Sequence, residues 1–430
     1  MRIAFVTAYP PSPLRVRAYS FVRELARHHT VTVVTLCHSD QDVDAAYALR
    51  RFGVQVVAVK EPSWAAGARA ASALPAGASL QVAHGGSAAL RRELNSLVET
   101  RQVDLVHVEH LRAVAAVRDV EIPVVWDAVD CISHLYALGA QYRATPMLRV
   151  LGRLEARRAR NEEQRLLSRL PHIVVTSSHE RAALMGVGVH TSAHDDTCDR
   201  RQPDVRSTLP GQAVIYVVPN GVDLDYFSPL ATPREGNVVV FSGRMSFHAN
   251  VAAASILTRE IMPLVWERRP DVRLVLAGSS PPRSVRRLAR DRRVSVTGYV
   301  ADLRPYIGGA TVAVSPTPYA VGMQNKVLEA LALSTPVVAM PPSVAGLRTA
   351  AGRDLLVADT PRDVADAILR LLDNAHFRAR LGQNGRQYVV QHHDWRVATQ
   401  ALLRVYKHAL DRSCQVQPLS TVQRLQLIEL

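Results

Sequence analysis

The chain has 430 residues, 48% hydrophobic and 21% charged, a globular composition long enough for two cores of ordinary size. A formal charge of +14 asks for an anionic partner: nucleic acid, a membrane surface or a phosphorylated substrate. No apolar run approaches a membrane span, the start MRIAFVTAYPP reads as a strand rather than a signal peptide, and Cys37, Cys131, Cys198 and Cys414 are too scattered for a disulfide framework or zinc site, so a cytoplasmic protein is expected.

In chain order, the first half predicts a strand at 3–7, a helix at 19–28, and strands at 30–36, 54–59, 105–108 and 124–126. Such alternation predicts a parallel, doubly wound sheet with right-handed crossovers. Residues 62–86, rich in Ala, Gly and Ser, read as a mobile loop with one short helix. The segment 149–169, RVLGRLEARRARNEEQRLLSR, predicts a helix whose basic run is interrupted by Glu155, Glu162 and Glu163. That pattern reads as a solvated, salt-bridged surface helix; the alternative is docking on anionic lipid headgroups. Nucleic acid is disfavoured, because no aromatic stacking platform or zinc-finger spacing accompanies the basic residues.

Residues 186–211 are polar and turn-rich, a predicted loop. The pattern then restarts, with strands expected at 214–218, 238–242, 272–277, 294–297, 311–315 and 336–339 and helices between them. Two doubly wound sheets imply a crevice, and ligands in such folds bind at the carboxyl ends of the strands. A hinge is placed near Asn220 and Gly221, a last helix at 395–410, and a tail of unassigned use at 413–430.

The richest stretch is 322–339, GMQNKVLEALALSTPVVA. Prolines at 316 and 318 stop the preceding strand, and Val327, Leu328, Leu331 and Leu333 have helical spacing, so a glycine loop empties into a helix start. Unpaired backbone N–H groups over Gly322, Met323, Gln324 and Asn325, with the positive end of the helix dipole, suit a nucleotide phosphate. Glu329 lies one to two turns inside, where a carboxylate can accept from a ribose diol. Beside it stands Lys326, one of only three lysines (with Lys60 and Lys407) among 52 basic residues, a placement that favours a compact point charge there.

This block resembles the C-terminal signature of the retaining GT-B glycosyltransferases of the GT4 family, the glycosyl transferases group 1. Their usual pattern is a Glu, seven residues, then a second Glu. Glu329 holds the second place and Val321 the first. Gly, Gln-Asn-Lys and Leu-Glu-Ala resemble the branch of exopolysaccharide and protein-sorting-associated sugar transferases, and PNGVDLDYF resembles the family's interdomain signature. The resemblance implies an α/β GT-B fold, two Rossmann-like domains facing a cleft. Residues 1–213 would bind the acceptor and 214–392 the nucleotide sugar, 393–412 would be a helix crossing back to the first domain, and 413–430 the tail.

It also implies roles by position. In SGRM, Gly243 and Arg244 would meet the diphosphate, with Lys326 supplying the cation missing where His248, Ala249 and Asn250 stand. His110 would contact the donor and, with Arg244 and Lys326, carry catalysis; His107 or Glu109 are alternatives for that place. Backbone at Tyr299 and Val300 would meet the nucleobase. Arg15 and Arg17, in the first loop, would face the phosphates or an anionic acceptor, and Asp127 and Asp130 would orient the acceptor hydroxyl or cap a loop. Asp223 and Asp225 form a DxD pair, but in the linker, so no metal site is expected; no GxGxxG follows the first strand, which disfavours a dinucleotide oxidoreductase. The function expected is retaining, metal-independent sugar transfer from a nucleotide diphosphate sugar to a hydroxyl on a glycan, a lipid-linked glycan or a natural product, with no separate cofactor and, for a lipid-linked acceptor, at the inner face of the membrane. The alternatives are another GT-B enzyme, such as a nucleotide-sugar 2-epimerase, and a non-catalytic basic protein that binds membrane or nucleic acid.

Overall fold

The computed structural model describes residues 1–73, 75, 77–141, 146–186, 213–231, 234 and 236–415. Seven strands, β1 (Arg2–Thr7), β2 (Thr30–Cys37), β3 (Gln55–Lys60), β4 (Leu105–Glu109), β5 (Val124–Val129), β6 (His172–Val175) and β7 (Val214–Val217), form one parallel sheet in the order β3-β2-β1-β4-β5-β6-β7. Six more, β8 (Val238–Ser242), β9 (Arg273–Ala277), β10 (Val294–Gly298), β11 (Val312–Ser315), β12 (Val337–Ala339) and β13 (Leu356–Val357), form a second in the order β10-β9-β8-β11-β12-β13. Both sheets are all-parallel and covered on both faces, so their strands read as unbroken apolar runs such as VVVF in β8. The strand order reverses between β1 and β4 in the first sheet and between β8 and β11 in the second, and a doubly wound sheet opens its ligand crevice at that reversal.

Three expectations are corrected here. β7 pairs with β6, Val174 opposite Tyr216, so it closes the first sheet instead of opening the second at 214. Residues 62–86 are no single loop: Ser63–Ser72 and Leu80–Gly85 are both helical, the second capped by Ser79. The basic segment is a helix over Pro146–Arg169, yet Glu155 and Glu163 are buried rather than solvated. Glu155 accepts from the Leu80 N–H (2.9 Å) and the Ser79 hydroxyl (3.0 Å), while Glu163 accepts from the Ser133 N–H (3.0 Å) and hydroxyl (2.5 Å). Only Glu162 makes the surface pair, with Arg165 at 3.4 Å. The predicted loop 186–211 lies outside the described residues after Gly186, and the last helix, Trp395–Gln415, takes in the start of the predicted tail.

That last helix packs on the first domain, where Trp395, Leu402 and Tyr406 join Phe5 and Phe21 in one core. Two chain crossings therefore join the domains, one at Asn220–Val222 and one at His393–Trp395, and they lie side by side: Val222 N–H donates to His393 O at 2.7 Å. A side chain at Gly221 would meet Trp395 N at 2.7 Å, so this crossing needs glycine. No helix among the described residues is long and apolar enough to cross a membrane.

Candidate functional site

On the second domain, the loops after β8 and β11 meet at the reversal of strand order. Gly243 donates to Ala277 O at 3.0 Å, which ties the β8 loop to the β9 loop and leaves the Arg244 side chain exposed, steadied by Ser246 at 3.1 Å. Opposite, Gly322 turns the chain at φ 64° into the helix Asn325–Ala332. Gln324 is its N-cap without a side-chain capping bond, so the Asn325 and Lys326 N–H groups stay available, whereas the Val327 N–H donates to Gln324 O at 3.0 Å and the Gly322 N–H, expected to be unpaired, is taken by Glu180. The Met323 side chain belongs to the core, which leaves its backbone alone for a ligand.

Lys326 reaches from this helix to the Asn250 side chain, 2.5 Å away, over the Phe241 ring. Asn250 stands in the segment after the β8 loop, and Lys326 brings its ammonium there from the other loop. Largely walled in by protein, Lys326 is pushed down to about 8 by burial, against the pull of Glu329. Burial pushes Glu329 up to about 7 against the pull of Lys326. Tyr299 and Val300 follow the edge strand β10, with Tyr299 76% exposed.

On the first domain, His110 follows β4 in the left-handed region at φ 69°. Val129 ends the neighbouring β5 at φ 62°, a conformation costly for a β-branched side chain. His110 is held neutral, down at about 3, by burial and then by Arg112; its Nδ1 accepts from the Arg112 N–H at 3.3 Å. His107 is core instead, stacked on Phe5 and bonded to Tyr406 at 2.9 Å, and burial pushes Glu109 up to about 8. Arg15 lies over the Tyr9 ring and feels Arg244 across the cleft.

Arg17 and Asp127 are not acceptor ligands in this arrangement. They form a buried ion pair at 2.8 Å, 5% and 0% exposed, with Arg17 also donating to Asn220 Oδ1 at 2.8 Å. Asn220 passes the chain on to Asn325 Oδ1 at 3.1 Å, so this pair braces the hinge against the donor-side helix. Asp223 of the DxD pair is likewise engaged, by Arg23 at 2.6 Å and by the Tyr226 N–H at 3.0 Å. Asp130 does face the cleft: a side chain at Gly322 would lie 1.8 Å from its Oδ1, and burial followed by Glu180 pushes it up to about 7.

Comparison with known proteins adds to this geometry. Residues 236–374, the body of the second domain, match the family described as glycosyl transferases group 1. A D-inositol 3-phosphate glycosyltransferase 2 from Catenulispora acidiphila is 30% identical over 233 residues, 47% of this chain and 52% of that one. The whole fold is similar to sucrose-phosphate synthase from Thermosynechococcus elongatus (TM-score 0.67, 16% identity, 96% of this chain and 100% of that one). It is also similar to Anabaena HepE, whose structure is a complex with UDP-glucose (TM-score 0.62, 14% identity, 95% and 100%). The chain has the GT-B fold, and the body of its second domain is similar to the group 1 glycosyltransferases. It spans about half the length of the curated relatives it matches.

Within this GT-B frame two features escape sequence reasoning. Glu180 bridges the domains, accepting from the Cys131 N–H at 2.6 Å and from the Gly322 N–H at 2.7 Å. Its Ser177-x-x-Glu180 pattern reads as a capping box; Ser177 does accept from the Glu180 N–H at 3.1 Å, but the carboxylate turns to the glycine loop of the second domain instead. The second feature is a polar network in the first domain's cleft wall: Arg112 donates to Tyr9 OH (2.7 Å) and Gln81 (2.5 Å), Gln81 donates to Tyr136 OH (2.6 Å), and His38 and His84 pack beside them. Its members come from four separate segments, and no local spacing announces them.

Proposed function

We propose that the protein transfers a sugar from a nucleotide diphosphate sugar to a hydroxyl acceptor, with retention at the anomeric carbon and without a metal ion. The observation that carries this is the convergence of Arg244, Lys326 and the helix start at Met323–Asn325 on one point at the reversal of strand order, with Arg15 facing them from the other domain. Two guanidiniums that repel one another across a cleft are both relieved by an anion between them. A diphosphate fits, and the same cations would stabilise the charge that grows on it as the glycosidic bond breaks. Glu329 would accept from the ribose, and the backbone at Tyr299 and Val300 would meet the base.

In this reading the departing phosphate oxygen takes the proton of the incoming hydroxyl on the same face of the sugar, so no protein nucleophile is needed. Neutral His110 and the raised Asp130 line the opposite wall, where they would hold sugar and acceptor hydroxyls. Closure around the paired crossings would exclude water, whose attack competes with transfer. The test is incubation with a panel of UDP-, GDP- and TDP-sugars in EDTA, with mass spectrometry of acceptor products and NMR of the new linkage. Retained anomeric configuration and EDTA resistance are expected; a sugar nucleotide epimer formed from donor alone would mean an epimerase instead.

The acceptor we favour is lipid-linked, with the protein held at the cytoplasmic face of an anionic membrane. Support comes from the start of helix Pro146–Arg169: Met147, Val150, Leu151 and Leu154 are 72%, 55%, 48% and 42% exposed and share its solvent side, with exposed Arg153 and Arg157 beside them.

A further inference from the structure

A cavity of about 360 Å³ opens on the first domain behind helix Leu80–Gly85, a volume within the range of small-molecule sites. That helix turns Gln81 and His84 to the cleft wall, while Ser79, Val82 and Ala83 line the cavity on its other side. The cavity is thus separate from the donor cleft. Arg69, Arg91, Arg118 and Arg165 reach it from four different segments, and among the described residues the one acid in its lining is Glu162.

The positive charge there is only partly met. Arg165 has Glu162 at 3.4 Å and Arg91 has Asp119 at 3.6 Å, pairs of the exposed kind that contribute about 1 kcal/mol or less. Arg69 has Glu61 at 2.9 Å, but its Nε is buried with no acceptor. Arg118 is exposed and has no acidic partner within ion-pair distance among the described residues. The twelve-residue helix Ala88–Glu99 also begins at the cavity: Ser87 and Ala88 line it, and the Ser87 hydroxyl satisfies only the Leu90 N–H, at 3.1 Å. Its dipole adds a second source of positive potential to the arginines.

We propose that this cavity is a second anion site that takes a phosphate group, held by Arg91, Arg118 and the start of helix Ala88–Glu99. A phosphorylated small molecule and a phospholipid headgroup present the same chemistry to it. The site stands on its own lining and does not depend on the donor reading.

The experiment is calorimetric titration of inorganic phosphate into protein saturated with UDP, so that the cleft is filled. Saturable binding is expected, weakened by salt and weakened about tenfold or more in Arg91→Gln/Arg118→Gln. Arg118→Glu, at an exposed position, gives the same reading should the double variant fold poorly. Absent saturable phosphate binding, or binding unchanged in folded variants, would overturn the proposal. Phosphatidylglycerol vesicles that displace phosphate support the site with a headgroup as its ligand; vesicles that leave phosphate bound support it with a soluble phosphate ester. If UDP gives no heat, GDP or TDP fills the cleft instead; if none of the three gives heat, the donor reading fails, and the phosphate titration is read without it.

Discussion

Lys326 and Glu329 share one turn of helix, and burial drives both toward neutrality, Lys326 down to about 8 and Glu329 up to about 7. Ammonium is lost as pH rises through about 8 and carboxylate is lost as pH falls through about 7, so donor affinity should peak between those values and fall on either side. Calorimetry of donor binding across pH 6 to 9 checks this; a flat profile would dissociate the pair from the site. Replacing Arg244 by Ala should lower turnover by about 10²–10³, the usual loss for a donor aimed at developing charge, while circular dichroism stays unchanged. Lys326, Glu329 and Arg244 were legible because rare charge, helical spacing and a glycine loop coincide in short segments. Arg17 and Asp127 were not, because residue type does not say which way a side chain turns: Asp127, still within β5, points into the helix layer toward Arg17, whereas Asp130, beyond the strand end, turns to the cleft. Glu180 stayed hidden because its partner Gly322 is 142 residues away.

At the level of elements, helix Pro146–Arg169 does two jobs that its sequence blends into one basic run. Its buried side pins neighbouring helix starts through Glu155 and Glu163. Glu163→Ala would leave the Ser133 N–H without a partner and its hydroxyl with only the Cys131 sulfur, at a cost of about 1–3 kcal/mol, measurable as a lowered denaturation midpoint. Its outer side carries the exposed apolar turn, and Val150→Glu/Leu151→Glu should abolish sedimentation with anionic vesicles while leaving stability nearly intact. Retained sedimentation would remove the membrane from the account. Alternating charge predicted solvation for all three glutamates because pattern alone does not reveal the Ser79 and Ser133 groups waiting for an acceptor. β7 was assigned to the wrong sheet for a similar reason: an apolar run announces a strand, and only pairing with β6 assigns it a neighbour.

For the whole molecule, the two sheets and the cleft were readable from repeated strand–helix alternation, while the embrace of the domains was not. It rests on single contacts between distant residues, Glu180 to Gly322, Asn220 to Asn325 and Arg23 to Asp223. The cleft is also where unfavourable ionisation is concentrated. Glu109, Asp130 and Glu329 titrate near 8, 7 and 7, above ordinary carboxyls, so the stability they contribute is present at low pH and lost as pH rises through those values. His107, His110 and His393, lowered to about 4, 3 and 4, contribute stability above the ordinary histidine range and lose it as pH falls through those values. Between pH 6.5 and 8 the carboxyls dominate, so the melting temperature of the ligand-free protein should fall across that window, and less so in Glu109→Gln; a rise would contradict the assignment. The most direct test of the central claim, that a diphosphate is gripped by cations and amide dipoles of the second domain, is calorimetry of a nucleotide-sugar panel in EDTA against wild type and Lys326→Ala. The account predicts that at least one donor binds wild type and loses about tenfold or more in affinity without the ammonium. Folded wild-type protein that gives no heat with any of them would contradict it.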